Sequence, residues 1–388
     1  MTGTDFIYLN NAATSWPKPP EVLAAIQQSL LSPFTGGGRS ATRDSKDYIW
    51  SARSAIADLL SVRDNERVIF SHNATDALNT LIQGFCSAHK GKIHVITSAL
   101  EHNSVLRPLS ELQQAGRIHL TILPLDGSDI DSDAIEESIT PETRLAVLTH
   151  GSNVLGSVQK INDIGRHLHE HGIFLITDGS QTAGHIPISV NDMHTDAYVF
   201  TGHKALFGIP GTGGFVIKNP EEINPVRFGG TGSYSSVLTH PRGMPERFEA
   251  GTHNFPGLAA LEAGVGFIQS IGLSAIEEKG IRQTRMMIQR LKGAPNIIIQ
   301  NEFPDLPIIS LNIDGLDNDD LGFILTRKYQ IITRSGLHCA PLVHKEMDGG
   351  TGSVRLSLSW FTTDAECLQA AEAILEVARC ADNQVSQA

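Results

Sequence analysis

Cysteine is scarce in this chain: four in 388 residues, at positions 86, 339, 367 and 380. Their spacing forms no paired framework, which excludes a disulfide-stapled scaffold and fits a reducing cytosol. Positive charge is also short. Lys and Arg number 30 against 42 Asp and Glu, a formal net charge of −12, and that balance argues against nucleic acid or an anionic membrane as a partner. Long apolar runs are missing, since stretches such as "IFLI" fall far short of a membrane span. The start, "MTGTDFIYLNNAAT", has no charged n-region followed by an apolar h-region, so no signal peptide is expected. There is no internal repeat, no low-complexity linker and no "GxxxxGK[ST]" loop. "GIPGTGG" (208–214) fails the GxGxxG spacing and lies far from the first strand, so nucleotide binding has little support.

What is present is an alternation. Short apolar, β-branched runs at 67–70, 92–97, 119–125, 144–150, 173–177, 197–200 and 213–218 read as strands covered on both faces. Amphipathic stretches lie between them. In "DSKDYIWSARSAIADLLSV", Ile49, Ala52 and Ile56 fall on one helical face, and Pro20 sits where a first helical turn tolerates proline. The pattern predicts an α/β domain with a mostly parallel sheet. After about residue 255 the rhythm changes to a helix-rich stretch. Then come "LPIISLNI", a helix near 317–329, "SVRLSLS" and a last helix from about 364, which together read as a smaller α+β domain. A chain of this length buries a large core and suits two domains.

In open α/β sheets, ligands bind beyond the carboxyl ends of the strands. Five predicted strand ends carry polar or ionisable groups: "SHNATDALN", "SALEHNS" with His102, "GSNVLGS" with Asn153, Asp178 with Gln181, and "TGHK" with Thr201, His203 and Lys204. Each alone has an ordinary structural role, as a turn cap, a solvated lysine or a core histidine. Jointly they make a site. Asn73 with Asp76 three positions on loosely resembles a capping box, which needs no ligand. A strand feeding a helix N-terminus also offers free N–H groups to a phosphate. Pyridoxal phosphate needs an amine for a Schiff base, a carboxylate at its pyridinium nitrogen and an anion site. Lys204, Asp178 and the 73–75 turn supply these, so pyridoxal 5'-phosphate is the cofactor expected.

"TDGSQTAGH", "DAYVFTGHKALFGIPGTGG", "EHNS", "THGSNVLGS", "RFEAGTHN" and "RSGLHC" resemble the class V, fold-type I pyridoxal-phosphate enzymes, most of all cysteine desulfurases and selenocysteine lyases with a short cysteine loop. The likeness spans nearly the whole chain. It implies a seven-stranded-type, mostly parallel sheet in a large domain (16–265), a small α+β domain carrying the cysteine loop (266–388) and an N-terminal arm (1–15) packing with the small domain. It implies that Lys204 bonds the cofactor and shuttles a proton, that Asp178 meets the ring nitrogen, and that Gln181 and Asn153 meet the ring hydroxyl. His102 would stack on the ring. Thr75, Thr201 and His203 would contact the phosphate. Thr252 would reach the phosphate of a partner subunit, in a homodimer. Ala74 stands where these enzymes often carry a hydroxyl residue, so one phosphate contact is expected from backbone N–H alone.

Cys339 sits in a Gly/Pro-broken loop with Arg334 and His338 as potential cations, which favour a thiolate. A buried small hydrophobe is the ordinary alternative for a free cysteine. A Cys339/His338/His344 metal set matches no standard spacing. The resemblance implies that Cys339 attacks the sulfur of a substrate cysteine. It also implies that Arg355 holds the substrate carboxylate, for which a guanidinium fork is suited, with Arg39 lining the pocket. Cys86, Cys367 and Cys380 fall in helical patterns and read as structural.

The expectation is a cytoplasmic, homodimeric enzyme that converts L-cysteine to L-alanine and leaves a persulfide on Cys339 for a small thiol or an acceptor protein. Selenocysteine lyase, class V aminotransferase and β-lyase activities are alternatives, as is a non-catalytic scaffold. An aminotransferase has no need of Cys339, and a scaffold has no need of Lys204 and Asp178.

Overall fold

The computed structural model describes residues 6–31, 47–233 and 235–385; the expected pocket residue Arg39 lies outside them. A seven-stranded sheet occupies the centre. Its order runs Val68–Ser71, Gly213–Ile217, Ala197–Thr201, Phe174–Asp178, Thr143–Thr149, Ile93–Ser98, Ile118–Leu123. Only Gly213–Ile217 runs antiparallel to its neighbours.

Side chains alternate across this sheet with period two. Ile176, Val199 and Val147 enter one apolar layer. Leu175, Ala146 and Leu148 enter a second, and Tyr198 and Phe200 a third, all beneath helices on the opposite face. Burial on both faces explains why the strands read as continuous apolar runs. Cutting Ile176 back to alanine is expected to cost roughly 2–5 kcal/mol. Gly213 is required where the sheet meets the first helix of the site: a Cβ there would stand 2.7 Å from the Asn73 Cα.

The helix Phe255–Ile271 packs Leu258, Leu261, Val265 and Ile268 on the large sheet. The expected boundary at 265/266 falls inside it. The chain then bends by 79° at Gly272 into Leu273–Leu291. A four-stranded antiparallel sheet follows, ordered Ile297–Ile299, Ile308–Ile313, Ser353–Ser357, Arg334–Gly336. Leu273–Leu291, Asn318–Tyr329 and Asp364–Val385 pack with this sheet around one apolar cluster. The N-terminal pair Ile7–Tyr8 adds in parallel to Ile331–Ile332. Among the described residues no single helix is long and apolar enough to cross a membrane.

Candidate active site

A cavity of about 290 Å³ opens at the carboxyl ends of the large sheet. Asp178 ends one strand, and Lys204 lies three residues beyond Thr201 on the next. Both line the cavity, with Ala74, Thr75, His102, Asn153, Gln181, Thr201, His203 and Arg355. Burial lowers the Lys204 ammonium to about 8, against the opposing pull of Asp178. Asp178 Oδ1 accepts from Ser180 N (2.9 Å) and Ser180 Oγ (2.5 Å). No described residue bonds its Oδ2. Gln181 Nε2 donates to the Ala12 carbonyl at 3.1 Å, which fixes the amide orientation and leaves Oε1 buried without a partner.

Two helix N-termini converge on the opposite wall. Asn73 caps Ala74–Ala88, its Oδ1 accepting from Asp76 N at 2.9 Å. The Asp76 carboxylate accepts from His72 N at 3.1 Å, one residue short of the reciprocal bond of a capping box. His102 caps Asn103–Gln114, its Nδ1 accepting from Ser104 N at 3.0 Å, so the ring proton sits on Nε2. Ser104 Oγ lies 2.8 Å from that Nδ1 and 2.7 Å from Thr75 Oγ1. Burial first, then the Lys204 charge, lowers His102 to about 4, and burial does the same for His203. Both rings are neutral. Paired N-termini present free N–H groups and positive dipole ends, an anion cradle. Thr252 lies elsewhere, in a separate pocket of about 70 Å³ with Phe70, His72, Asp76 and Arg227.

The third wall comes from the small sheet and the cysteine loop. Arg355 is 1% exposed; its Nη1 donates to the Asn153 carbonyl (2.9 Å) and its Nη2 to Asn10 Oδ1 (3.4 Å), while Nε has no partner. Burial, then the neighbouring Arg334, lowers it to about 9. His338 and Cys339 both hold positive φ, 50° and 59°, a strained pair of the kind found at functional turns. The loop is tied down by Asn153 Nδ2 to the His338 carbonyl (2.8 Å) and by Asn103 N to the Cys339 carbonyl (2.7 Å). Arg334 Nη2 lies 3.4 Å from Cys339 Sγ. His338 is no cation: its Nε2 donates to the Ser353 carbonyl at 3.0 Å, and burial with the Arg355 charge pushes it down to about 2. Among the described residues Arg334 is the cation in direct contact with the thiol, and the Lys204 and Arg355 charges also interact with Cys339.

Four buried polar atoms of cavity residues lack a partner among the described residues: Gln181 Oε1, His203 Nδ1, His338 Nδ1 and Arg355 Nε. Such orphans suit a polar ligand. A lysine amine, a carboxylate with one free oxygen and an anion cradle are the set that pyridoxal phosphate requires, and the residues present fit it.

Fold and cavity thus define a fold-type I pyridoxal-phosphate enzyme. The chain belongs to the aminotransferase class-V family, whose sequence profile matches residues 7–369. It is 30% identical over 388 residues to a probable cysteine desulfurase of Xylella fastidiosa, covering 97% of this chain and 91% of that one. It is 29% identical to another from Methanothermobacter thermautotrophicus, covering 96% and 95%. Among solved structures, an apo cysteine desulfurase from Thermococcus onnurineus NA1 superposes with a TM-score of 0.88 at 28% identity, covering 97% and 95%. The cysteine desulfurase CsdA of Escherichia coli, in an S-sulfonic acid form, gives 0.87 at 26%, covering 96% and 95%.

Several participants were not singled out from the sequence. Ala12 and Ala13 line the cavity, Asn10 holds Arg355, and Ser104 links Thr75 to His102. The "NNAAT" run carried no periodic signal. Its only cue was asparagine beside small residues at the end of a strand.

Proposed function

We propose that this chain is a cysteine desulfurase that takes the sulfur of L-cysteine onto Cys339 and releases L-alanine. The observation that carries the reading is Cys339 Sγ 3.4 Å from Nη2 of Arg334, a residue that lines the Lys204 cavity. Pyridoxal phosphate, when bound, supplies an electron-withdrawing ring that acidifies the Cα–H of an attached amino acid. Lys204 and Asp178 would hold it, with Thr75, His203 and the two helix N-termini at its phosphate. Arg355 Nε and Nη2 would receive the substrate carboxylate. Lys204 Nζ, lowered toward neutrality, is poised to move a proton at the substrate carbon. The Cys339 thiolate, beside Arg334, then attacks the substrate sulfur. A sulfur–sulfur bond forms as the carbon–sulfur bond breaks. The electron pair stays on the carbon skeleton, which leaves as alanine after protonation.

The same reading includes a homodimer in a reducing cytosol, with Thr252 serving the partner's site. Its support is that Thr252 lies outside the cavity of its own chain. Release of the Cys339 sulfur requires a small thiol or an acceptor protein. The test is incubation with L-cysteine, with and without a reducing thiol, measuring alanine and sulfide. Equal yields under the thiol are expected. A keto acid accumulating in place of alanine would show an aminotransferase instead.

A further inference from the structure

The segment that follows the N-terminal strand grips the backbone of the Lys204 loop. The His203 carbonyl lies within hydrogen-bond distance of Ser15 N (3.0 Å), Thr14 Oγ1 (3.0 Å), Ser15 Oγ (3.2 Å) and Lys18 Nζ (2.9 Å). Ser15 Oγ also donates to the Lys204 carbonyl at 2.7 Å. Lys18 Nζ is itself 2.7 Å from Ser15 Oγ. Because the one Ser15 hydroxyl proton goes to the Lys204 carbonyl, three donors are left for the two lone pairs of the His203 carbonyl, Ser15 N, Thr14 Oγ1 and Lys18 Nζ, and the one charged donor is the strongest. Lys18 makes no ion pair with a carboxylate among the described residues; both of its hydrogen bonds go to this clamp. A half-buried ammonium spent on a carbonyl next to the reactive lysine is costly unless that carbonyl must stay in place.

We propose that Lys18 is a positioning residue for Lys204, fixing the His203–Lys204 backbone so that only the lysine side chain moves when Nζ bonds and releases its partners. Burial lowers Lys18 itself to about 8, consistent with a cation that has no carboxylate among the described residues. This rests on the desulfurase reading only for its turnover measurements.

The test starts from cofactor-free protein. Pyridoxal phosphate is added and its capture by Lys204 is followed by absorbance. Lys18→Met is expected to slow capture and to lower kcat by about tenfold each, with Lys18→Arg within about twofold of the parent. KM for cysteine should not change, because Arg355 is untouched. Should Lys18→Met fail to fold, Ser15→Ala removes the bond to the Lys204 carbonyl and is expected to slow capture several-fold. Parental capture in the folded variant, a Lys18→Arg protein as slow as Lys18→Met, or a KM that rises in step with the loss of kcat would each overturn the assignment. Capture uses no amino acid. A parent that captures the cofactor but yields no alanine therefore sinks the desulfurase reading and leaves this one standing.

Discussion

Arg334 and Arg355 stand directly opposite each other on neighbouring antiparallel strands, and both line the cavity of Lys204 and Asp178. Like charges in that register repel, and no described carboxylate pairs with either. Such an arrangement suits a site that takes the carboxylate of an amino acid, as the proposed function requires. In the proposed reaction the two arginines would divide the work, Arg355 taking the substrate carboxylate and Arg334 lying 3.4 Å from the Cys339 thiol.

Arg355→Lys keeps the charge but loses the planar fork. Amino-acid binding should weaken by roughly ten- to a hundredfold, the range of a charge-assisted bond worth about 1.5–3 kcal/mol. Spectral titration with cysteine measures it. An unchanged Kd would show that another residue, such as Arg39, holds the carboxylate.

Arg334→Gln removes the cation beside Cys339 Sγ. Sulfur transfer to Cys339 should slow by about tenfold or more in single-turnover experiments, because Sγ loses its contact with a cation. Cofactor binding should not change. Parental transfer rates would show that the 3.4 Å contact has no part in activation.

The strands and the strand-end residues were legible in the sequence because both follow from local pattern. Apolar β-branched runs mark buried strands, and polar residues just after them mark the ligand-binding rim. What was not legible depends on pairings remote in sequence. His338 stood among the potential cations until its burial under Ser353 and Arg355 made it neutral. Asn11 meets Ser357 across 346 positions, and no periodicity announces that. Cys380 shared a helical pattern with buried Cys367, yet faces solvent, because the positions between them, at roughly 100° per residue, turn it about 140° away on the helix Asp364–Val385.

Neutral buried imidazoles should make the protein acid-sensitive. His150 is lowered by burial from 6.5 to about 4, and His338 to about 2. The unfolded chain takes up their protons first as pH falls. Their contribution is present above pH 6.5 and is lost as pH drops toward 4. The slope is about 1.4 kcal/mol per pH unit for each proton. Urea unfolding of the cofactor-free protein should show it, and His150→Asn should reduce the slope. A flat profile from pH 6.5 to 4.5 would contradict the placement.

Glu101 should act in the opposite direction. Its carboxyl is fully buried, with Oε1 accepting from Ser98 Oγ (2.7 Å) and Thr149 N (2.9 Å) and Oε2 without a partner among the described residues. Burial raises it to about 8, the Ser98 and Thr149 bonds pull it down, and the Asp178 charge adds to the rise. A raised acid contributes stability that is fully present below its unfolded value of 4.5 and is lost as pH climbs through about 8. Glu101→Gln keeps the shape without the titration, so between pH 6.5 and 8, above the imidazole range, the variant should unfold with a flatter profile than the parent. An identical slope in parent and variant would mean that Glu101 is ionised in the fold.

The account stands on Cys339. Mass spectrometry of the peptides after L-cysteine treatment should find the added sulfur on the one carrying Cys339. Cys339→Ala should bind pyridoxal phosphate normally and yield almost no alanine from cysteine. Exposed Cys380 is the control for adventitious chemistry. Sulfur found on Cys86, Cys367 or Cys380 in place of Cys339, together with full desulfurase activity in Cys339→Ala, would contradict the assignment.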